Sequence, residues 1–129
     1  MMNKIIEICV VDDEPIVCNR LKPMLEKSGC QVEIFTDSKA SLERLSEKKF
    51  DILITDLKMK RPDGLDLLHF TRNTYPETRV IFITGFATTE TARDALKAGA
   101  VDFIAKPFHM SQLRDLVLKI SSEIQQGQQ

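Results

Sequence analysis

The sequence lacks two features that would each point to a whole class of protein: a long apolar run and an excess of charge of one sign. A membrane-spanning helix needs about twenty consecutive apolar residues, and every apolar run in this 129-residue chain is far shorter. The 18 lysine and arginine residues nearly balance the 19 aspartate and glutamate residues, for a net charge of -1. No global basic field is available to attract nucleic acid, so we expect neither direct nucleic-acid binding nor a membrane partner.

Cysteine is scarce and odd in number, with Cys9, Cys18 and Cys30 in no spacing typical of a metal site. We predict free thiols, buried or half-buried, in a protein of a reducing compartment. Residues 3–11 do not resemble a secretory signal, because Glu7 interrupts them and no small-residue cleavage site follows. Together these observations predict a cytoplasmic location.

Internal repeats are also absent, and five short apolar runs alternate instead with five helical patterns. The runs are rich in β-branched residues, have the length of strands, and comprise residues 5–11, 32–35, 52–55, 80–83 and 101–104. The helical patterns occupy residues 14–28, 38–47, 64–74, 88–98 and 110–125. This alternation predicts an α/β fold: a doubly wound five-stranded parallel sheet with five helices on both faces. We assign residues 1–125 to this domain and the polar residues 126–129 to a tail or the start of a linker.

Side chains suited to chemistry follow four of the five predicted strands. The first strand is followed by Asp12, Asp13 and Glu14, the third by Asp56, the fourth by Thr84 and Gly85, and the fifth by Lys106 and Pro107. In doubly wound folds, ligands bind beyond the carboxyl ends of the strands. We therefore expect these side chains to meet at one edge of the sheet.

Each of these residues also has a purely structural interpretation. Asp13 can cap the first helix, in whose first turn Pro15 lies, while Asp56 can be a turn residue and Lys106 a solvated charge. As a group these interpretations are weaker, because clustered carboxylates repel one another and raise one another's proton affinity. A bound cation relieves that repulsion, and carboxylate oxygens are ligands that Mg²⁺ prefers.

The same residues could also transfer a phosphoryl group. An aspartate such as Asp56 can attack phosphorus and form an aspartyl phosphate, and a metal ion can neutralise charge on the attacking and phosphoryl oxygens. Lys106 would add a second positive charge, and the Thr84 hydroxyl could donate to a phosphoryl oxygen.

At this point the sequence resembles the receiver family of two-component response regulators, across residues 4–125. The motifs that carry the resemblance are Val10-Val11-Asp12-Asp13-Glu14, Asp56-Leu57-Lys58-Met59 with Asp63-Gly64 after it, Ile83-Thr84-Gly85, Ala98-Gly99-Ala100 and Lys106-Pro107-Phe108. Each is short, but together, in this order and at the expected strand ends, they are highly specific. The resemblance implies a flavodoxin/CheY-like sheet with strand order 2-1-3-4-5.

The resemblance also implies roles for individual residues. Asp56 would be the phosphoacceptor. The Mg²⁺ ligands would be Asp13, Asp56 and the main-chain carbonyl of Lys58, with Asp12 acting partly through water. Thr84 and Lys106 would contact the phosphoryl group, Phe103 would be the aromatic switch residue or simply a core aromatic, and Lys58, Gly85 and Phe86 would line the pocket. The Lys106–Pro107 peptide bond would be cis, the isomer that is accessible mainly before proline.

A function follows from the resemblance as an expectation. The chain would accept a phosphoryl group from a sensor histidine kinase or a phosphotransfer protein, and would act as a switch rather than as an enzyme. The face formed by the fourth helix, fifth strand and fifth helix would then change shape and control an output domain or a downstream protein. The same change would allow a phosphorylation-dependent homodimer.

Lys60 departs from the family pattern, which commonly has proline at that position, and Pro62 follows two residues later. The loop after Asp56 is therefore expected to take its own path, and the position of the Lys58 carbonyl depends on that path.

Three other functions compete with the receiver interpretation. A haloacid-dehalogenase-like enzyme needs a second aspartate two residues after its nucleophile, where this chain has Lys58. A nucleotide or flavin binder needs a glycine-rich loop after the first strand, where this chain has Asp12-Asp13-Glu14-Pro15. A pseudo-receiver, a protein-interaction module that is not phosphorylated, usually lacks part of the acidic cluster that this chain keeps.

Overall fold

Five strands and five helices alternate along the chain in the computed structural model, which describes residues 4–85 and 87–127. In chain order the elements are β1 (Glu7–Val11), α1 (Pro15–Lys27), β2 (Gln31–Phe35), α2 (Ser38–Glu47), β3 (Ile52–Asp56), α3 (Gly64–Thr74), β4 (Arg79–Thr84), α4 (Thr89–Lys97), β5 (Asp102–Ala105) and α5 (Met110–Gln126). Every predicted helix and strand is present. The first strand is shorter than the predicted apolar run of residues 5–11. It begins at Glu7, and Ile5 lies before it with 55% of its surface exposed.

All the strands pair in parallel, in the order β2-β1-β3-β4-β5. The predicted doubly wound sheet and its strand order are therefore confirmed. The three inner strands are buried almost throughout, as expected for strands with helices on both faces. The first crossover moves the chain from β1 to β2 at the sheet edge, and the second carries it back past β1 to β3.

Two apolar clusters hold the helices against the sheet, one on each face. On the first face, α1 and α5 contribute Cys18, Leu21, Leu25, Leu113, Val117 and Ile120. On the second face, α2, α3 and α4 contribute Leu45, Leu67, Leu68 and Ala95. Successive residues of β1 alternate between these clusters, as the period of two in a strand requires.

The helix starts differ in how they are capped. Asp37 caps α2 by accepting a hydrogen bond from Lys39 N, and reciprocal capping boxes begin α3 at Asp63 and α4 at Thr88. Helix α1 has Glu14, not Asp13, as its N-cap residue, and the Glu14 side chain makes no capping hydrogen bond. The capping interpretation of Asp13 is therefore wrong, and both carboxylates remain available for other contacts.

The structure also tests the predictions about the cysteine thiols and about the C-terminal end of the chain. Cys9, Cys18 and Cys30 are free and buried, as predicted. Helix α5 extends one residue further than predicted, to Gln126, and residues 128–129 of the proposed tail lie outside the described part of the chain. Within the described residues, no helix combines the length and the apolar character that a membrane span requires.

Candidate functional site

Four carboxylates meet at the carboxyl ends of β1 and β3. The two strands are neighbours, with Val11 paired to Thr55, so the next residues, Asp12 and Asp56, stand side by side. Each of Asp12, Asp13, Glu14 and Asp56 offers one carboxylate oxygen, and these four atoms lie within 4.8 Å of one another. The sequence-based expectation that the strand ends deliver acidic groups to one place matches this geometry.

Burial distinguishes the members of this acidic cluster, which we define as Asp12, Asp13, Glu14 and Asp56. Asp12 is fully buried and Asp56 is nearly so, whereas Asp13 and Glu14 are exposed. Burial raises the pKa of Asp12, although contacts with the Lys106 side chain and the Glu14 backbone oppose the shift. Asp12 Oδ1 accepts the Glu14 N–H at 2.9 Å, which holds the turn between β1 and α1.

Lys106 extends from the end of β5 into the acidic cluster. Its ammonium nitrogen lies 2.7 Å from Asp12 Oδ2, 2.8 Å from Glu14 Oε1 and 3.1 Å from Asp56 Oδ2. Burial opposes the charged form of Lys106, but its close contacts with the three carboxylates outweigh that effect and raise the pKa of Lys106. One ammonium among four carboxylates leaves a local excess of negative charge, which a divalent cation would neutralise.

The backbone around Asp56 fixes the direction of its carboxylate. The Lys58 N–H donates to Asp56 Oδ1 at 3.3 Å, while Asp56 Oδ2 accepts from Lys106. The Gly64 N–H donates to Leu57 O at 3.1 Å, which joins the start of α3 to the end of β3. A Cβ atom on Gly64 would overlap the main-chain carbonyl oxygen of Asp56 and would also meet Leu57 Cα at 2.8 Å. This position therefore requires glycine.

Thr84 and Phe103 lie on the strands beyond Asp56. Thr84 is buried at the end of β4, and its main-chain carbonyl accepts the Lys106 N–H at 2.8 Å. Phe103 pairs in register with Phe82, and its half-buried ring packs against the apolar cluster of the second face. That placement is compatible with both interpretations of Phe103, the switch aromatic and the core aromatic.

The three residues predicted to line the pocket are Lys58, Gly85 and Phe86. The Lys58 side chain and Gly85 are exposed, and Phe86 lies outside the described residues. The Lys106–Pro107 bond is cis, and so is the Arg61–Pro62 bond in the loop after Asp56, which the sequence interpretation did not anticipate. In the same loop, Lys60 O accepts a hydrogen bond from Ser38 Oγ at 3.2 Å.

Sequence reasoning missed two contacts at this site. Glu14 was placed at the end of the first strand but given no role of its own, although its side chain binds Lys106, 92 positions further along the chain. Gly64 was noted only as part of a family motif, although the absence of a Cβ atom lets α3 approach the Asp56 carbonyl. Neither contact has a local sequence signal, because both depend on how separate elements pack.

An apolar groove opens beside Lys106, between the start of α1 and the segment that joins β5 to α5. It encloses about 400 Å³ and is lined by Glu14, Ile16, Val17, Arg20, Lys106, Pro107, Phe108 and Met110. Ile16 is an exposed large hydrophobic residue on its wall. The groove therefore presents apolar surface immediately next to the acidic cluster.

Comparison with known proteins agrees with this geometry. Residues 8–118 match the family model described as the response regulator receiver domain. The response regulator protein PilR of Pseudomonas aeruginosa is 36% identical over 108 residues, which are 84% of this chain and 24% of PilR. This chain therefore spans about a quarter of that relative's length.

Solved structures also resemble the whole fold. A CheY-like receiver domain protein from Methanospirillum hungatei is 27% identical, with a TM-score of 0.89 over 98% of this chain and 100% of that one. The beryllofluoride-activated NtrC4 receiver domain, solved as a dimer, is 28% identical, with a TM-score of 0.84 over 91% of this chain and 97% of that one.

Proposed function

Since the chain belongs to the response regulator receiver family of two-component signalling proteins, we propose that it is a switch phosphorylated on Asp56 with Mg²⁺ as cofactor. The observation that carries this proposal is the meeting of Asp12, Asp13 and Asp56 with Lys106 at the carboxyl ends of three parallel strands. A nucleophilic carboxylate, further acidic ligands and a cation are the groups that phosphoryl transfer to aspartate needs.

The proposed reaction transfers one phosphoryl group to an Asp56 oxygen. With a phosphohistidine donor, the carboxylate attacks phosphorus, the P–N bond breaks, and the electron pair stays on the imidazole nitrogen. With acetyl phosphate, a P–O bond breaks and acetate leaves. Lys106, which already contacts Asp56 Oδ2 at 3.1 Å, and the Thr84 hydroxyl would then donate to the phosphoryl oxygens.

The acidic cluster fits a divalent ion by its chemistry. Its ligand atoms are hard carboxylate oxygens, and its total negative charge is larger than the single positive charge of Lys106. We propose that Asp13, Asp56 and the Lys58 carbonyl hold Mg²⁺ directly and that Asp12 contributes partly through water. When bound, the ion would offset charge on the Asp56 carboxylate and on the phosphoryl oxygens.

We predict that Mg²⁺ stabilises the folded chain and that Asp13→Asn removes most of this effect. At an Mg²⁺ concentration ten times the dissociation constant, the free energy of unfolding should rise by about 1.4 kcal/mol. Thermal unfolding with and without Mg²⁺ measures the difference. Asp115→Asn is the matched control, because Asp115 is an exposed carboxylate on α5, paired with Arg114. Equal stabilisation of the wild type and Asp13→Asn would contradict the proposed ligand set.

The experiment that tests the proposed function is incubation with acetyl phosphate and Mg²⁺, followed by intact-mass measurement. We expect a mass increase of one phosphoryl group that disappears when Mg²⁺ is chelated beforehand. A chain that stays unmodified at saturating donor and Mg²⁺ would instead be a pseudo-receiver, an interaction module without phosphorylation.

The proposed output is a change on the face formed by α4, β5 and α5. Hydrogen bonds to a charged group contribute about 1.5–3 kcal/mol each, but only the difference between the two states shifts their populations. Lys106 already contacts three carboxylates, so its bond to a phosphoryl oxygen would add less than this full amount. Three large hydrophobic residues are exposed on these elements or beside them: Leu96, Val101 and Leu118. This face would contact an output domain, a downstream protein or a second copy of the chain once Asp56 is phosphorylated.

The proposed phosphodonor is a sensor histidine kinase or a phosphotransfer protein in the cytoplasm. Such a donor must bring its phosphohistidine to Asp56. The apolar groove beside Lys106 lies next to the acidic cluster, so the donor protein could bind there while its phosphohistidine reaches Asp56. Because this chain spans about a quarter of PilR, an output domain beyond residues 126–129 is part of the same proposal, with residues 1–125 as the receiver.

A further inference from the structure

Glu14 occupies a helix-capping position but uses its side chain elsewhere. It is the N-cap residue of α1 and makes no side-chain capping bond. Its Oε1 atom instead reaches the Lys106 ammonium at 2.8 Å, although the Glu14 side chain is 59% exposed. The side chain therefore joins the start of α1 to the end of β5, directly at the edge of the proposed phosphorylation site.

The Lys106 ammonium has three N–H groups, and three carboxylates already surround it. Asp12 and Asp56 hold it from the buried side, and Glu14 holds it from the solvent side. The contacts with Glu14 and Asp56 are hydrogen bonds, whereas Asp12 Oδ2 is an ion-pair partner without a hydrogen bond. A phosphoryl oxygen on Asp56 would compete with these carboxylates for the Lys106 ammonium. The Glu14 contact is the easiest to release, because water can replace Lys106 at an exposed carboxylate but not at the buried carboxylate of Asp12.

We propose that Glu14 is a positioning residue that holds Lys106 in the unphosphorylated arrangement and so opposes binding of a phosphoryl group at Asp56. This inference rests on the proposed function, since it assigns Lys106 to the phosphoryl oxygens. Glu14 binds the Lys106 ammonium before phosphoryl transfer, and a phosphoryl oxygen on Asp56 replaces Glu14 as its partner afterwards. Removing the contact should therefore favour the phosphorylated form.

A second explanation must be separated from this one: Glu14 could act only as a negative charge near the site and near the N-terminus of α1. Two substitutions distinguish the explanations. Glu14→Gln removes the charge and leaves a weaker neutral acceptor. Glu14→Asp keeps the charge but is one methylene shorter, so its carboxylate falls short of Lys106. Glu26→Gln is the control, because Glu26 lies on the same helix and pairs with Lys22, away from the acidic cluster.

The experiment is titration with beryllofluoride, a phosphoryl mimic, at saturating Mg²⁺. We expect Glu14→Gln and Glu14→Asp to bind it about two- to fivefold more tightly than the wild type, and Glu26→Gln to match the wild type. Wild-type affinity in both Glu14 variants, or in Glu14→Asp alone, would overturn the inference. Failure of the wild type itself to bind beryllofluoride would instead contradict the proposed function on which the inference rests.

A second readout needs no metal. The ammonium protons of Lys106 should exchange with water faster in Glu14→Gln and Glu14→Asp than in the wild type, as followed by nitrogen-15 NMR of the metal-free protein. Unchanged exchange in both variants would show that Glu14 does not hold Lys106, whatever the phosphorylation assay shows.

Discussion

Replacing Asp56 with asparagine should abolish phosphoryl transfer from acetyl phosphate while leaving the fold intact. The amide has nearly the shape of the carboxylate but is not a nucleophile toward phosphorus, so we expect the rate to fall by at least about a thousandfold. The substitution also removes one of four clustered negative charges, so the metal-free protein should not lose stability. Intact-mass measurement over time gives the rate, and denaturant unfolding gives the stability.

Asp51→Asn is the matched control for this substitution. Asp51 is also a buried aspartate, but it precedes β3, at the opposite end of the strand from Asp56, where it pairs with Lys4 and accepts the Glu7 N–H. We expect Asp51→Asn to be phosphorylated at the wild-type rate, even if it is less stable. Normal phosphorylation of Asp56→Asn, or loss of phosphorylation in Asp51→Asn alone, would show that Asp56 is not the acceptor.

Replacing Gly64 with alanine should destabilise the chain by about 1–3 kcal/mol or more. The added methyl group would overlap the Asp56 carbonyl oxygen and lie 2.9 Å from the Phe82 ring, so either α3 or the end of β3 must move. Because that end of β3 carries Asp56, we expect weaker Mg²⁺ binding as well as a lower free energy of unfolding. Denaturant unfolding and an Mg²⁺ titration measure the two effects.

The control for Gly64→Ala is Gly85→Ala. An added Cβ on Gly85 meets nothing within 4 Å, so its free energy of unfolding should change by no more than about 0.5 kcal/mol. If Gly64→Ala were as stable as Gly85→Ala, the close approach of α3 to the Asp56 carbonyl could not be what positions the end of β3.

Much of the architecture was predictable because the elements carry strong local signals. The buried runs of β3 and β4 are almost continuously apolar, and α2 and α3 begin and end where their patterns predict. The strand order came from the family resemblance, since periodicity cannot say which strands are neighbours. Ile5 shows where an apolar run misleads: it continues the run before Glu7 but is exposed outside the strand.

The site was predictable in its members but not in its contacts. Asp12, Asp56 and Lys106 lie at the carboxyl ends of predicted strands, and parallel strands bring these ends to one edge of the sheet. Which carboxylates share the Lys106 ammonium depends on side-chain reach across elements, and Glu14 could not be assigned to it from sequence. The requirement for glycine at position 64 likewise arises only when α3 packs against the end of β3.

The most direct measurement is a crystal structure of the chain with Mg²⁺ and beryllofluoride. The account predicts beryllium bonded to an Asp56 oxygen, one metal ion contacted by Asp13 and Asp56, and the Lys106 ammonium within hydrogen-bonding distance of a fluorine atom. Beryllofluoride or the metal bound elsewhere, with Asp56 and Lys106 unchanged at saturating concentrations, would contradict it.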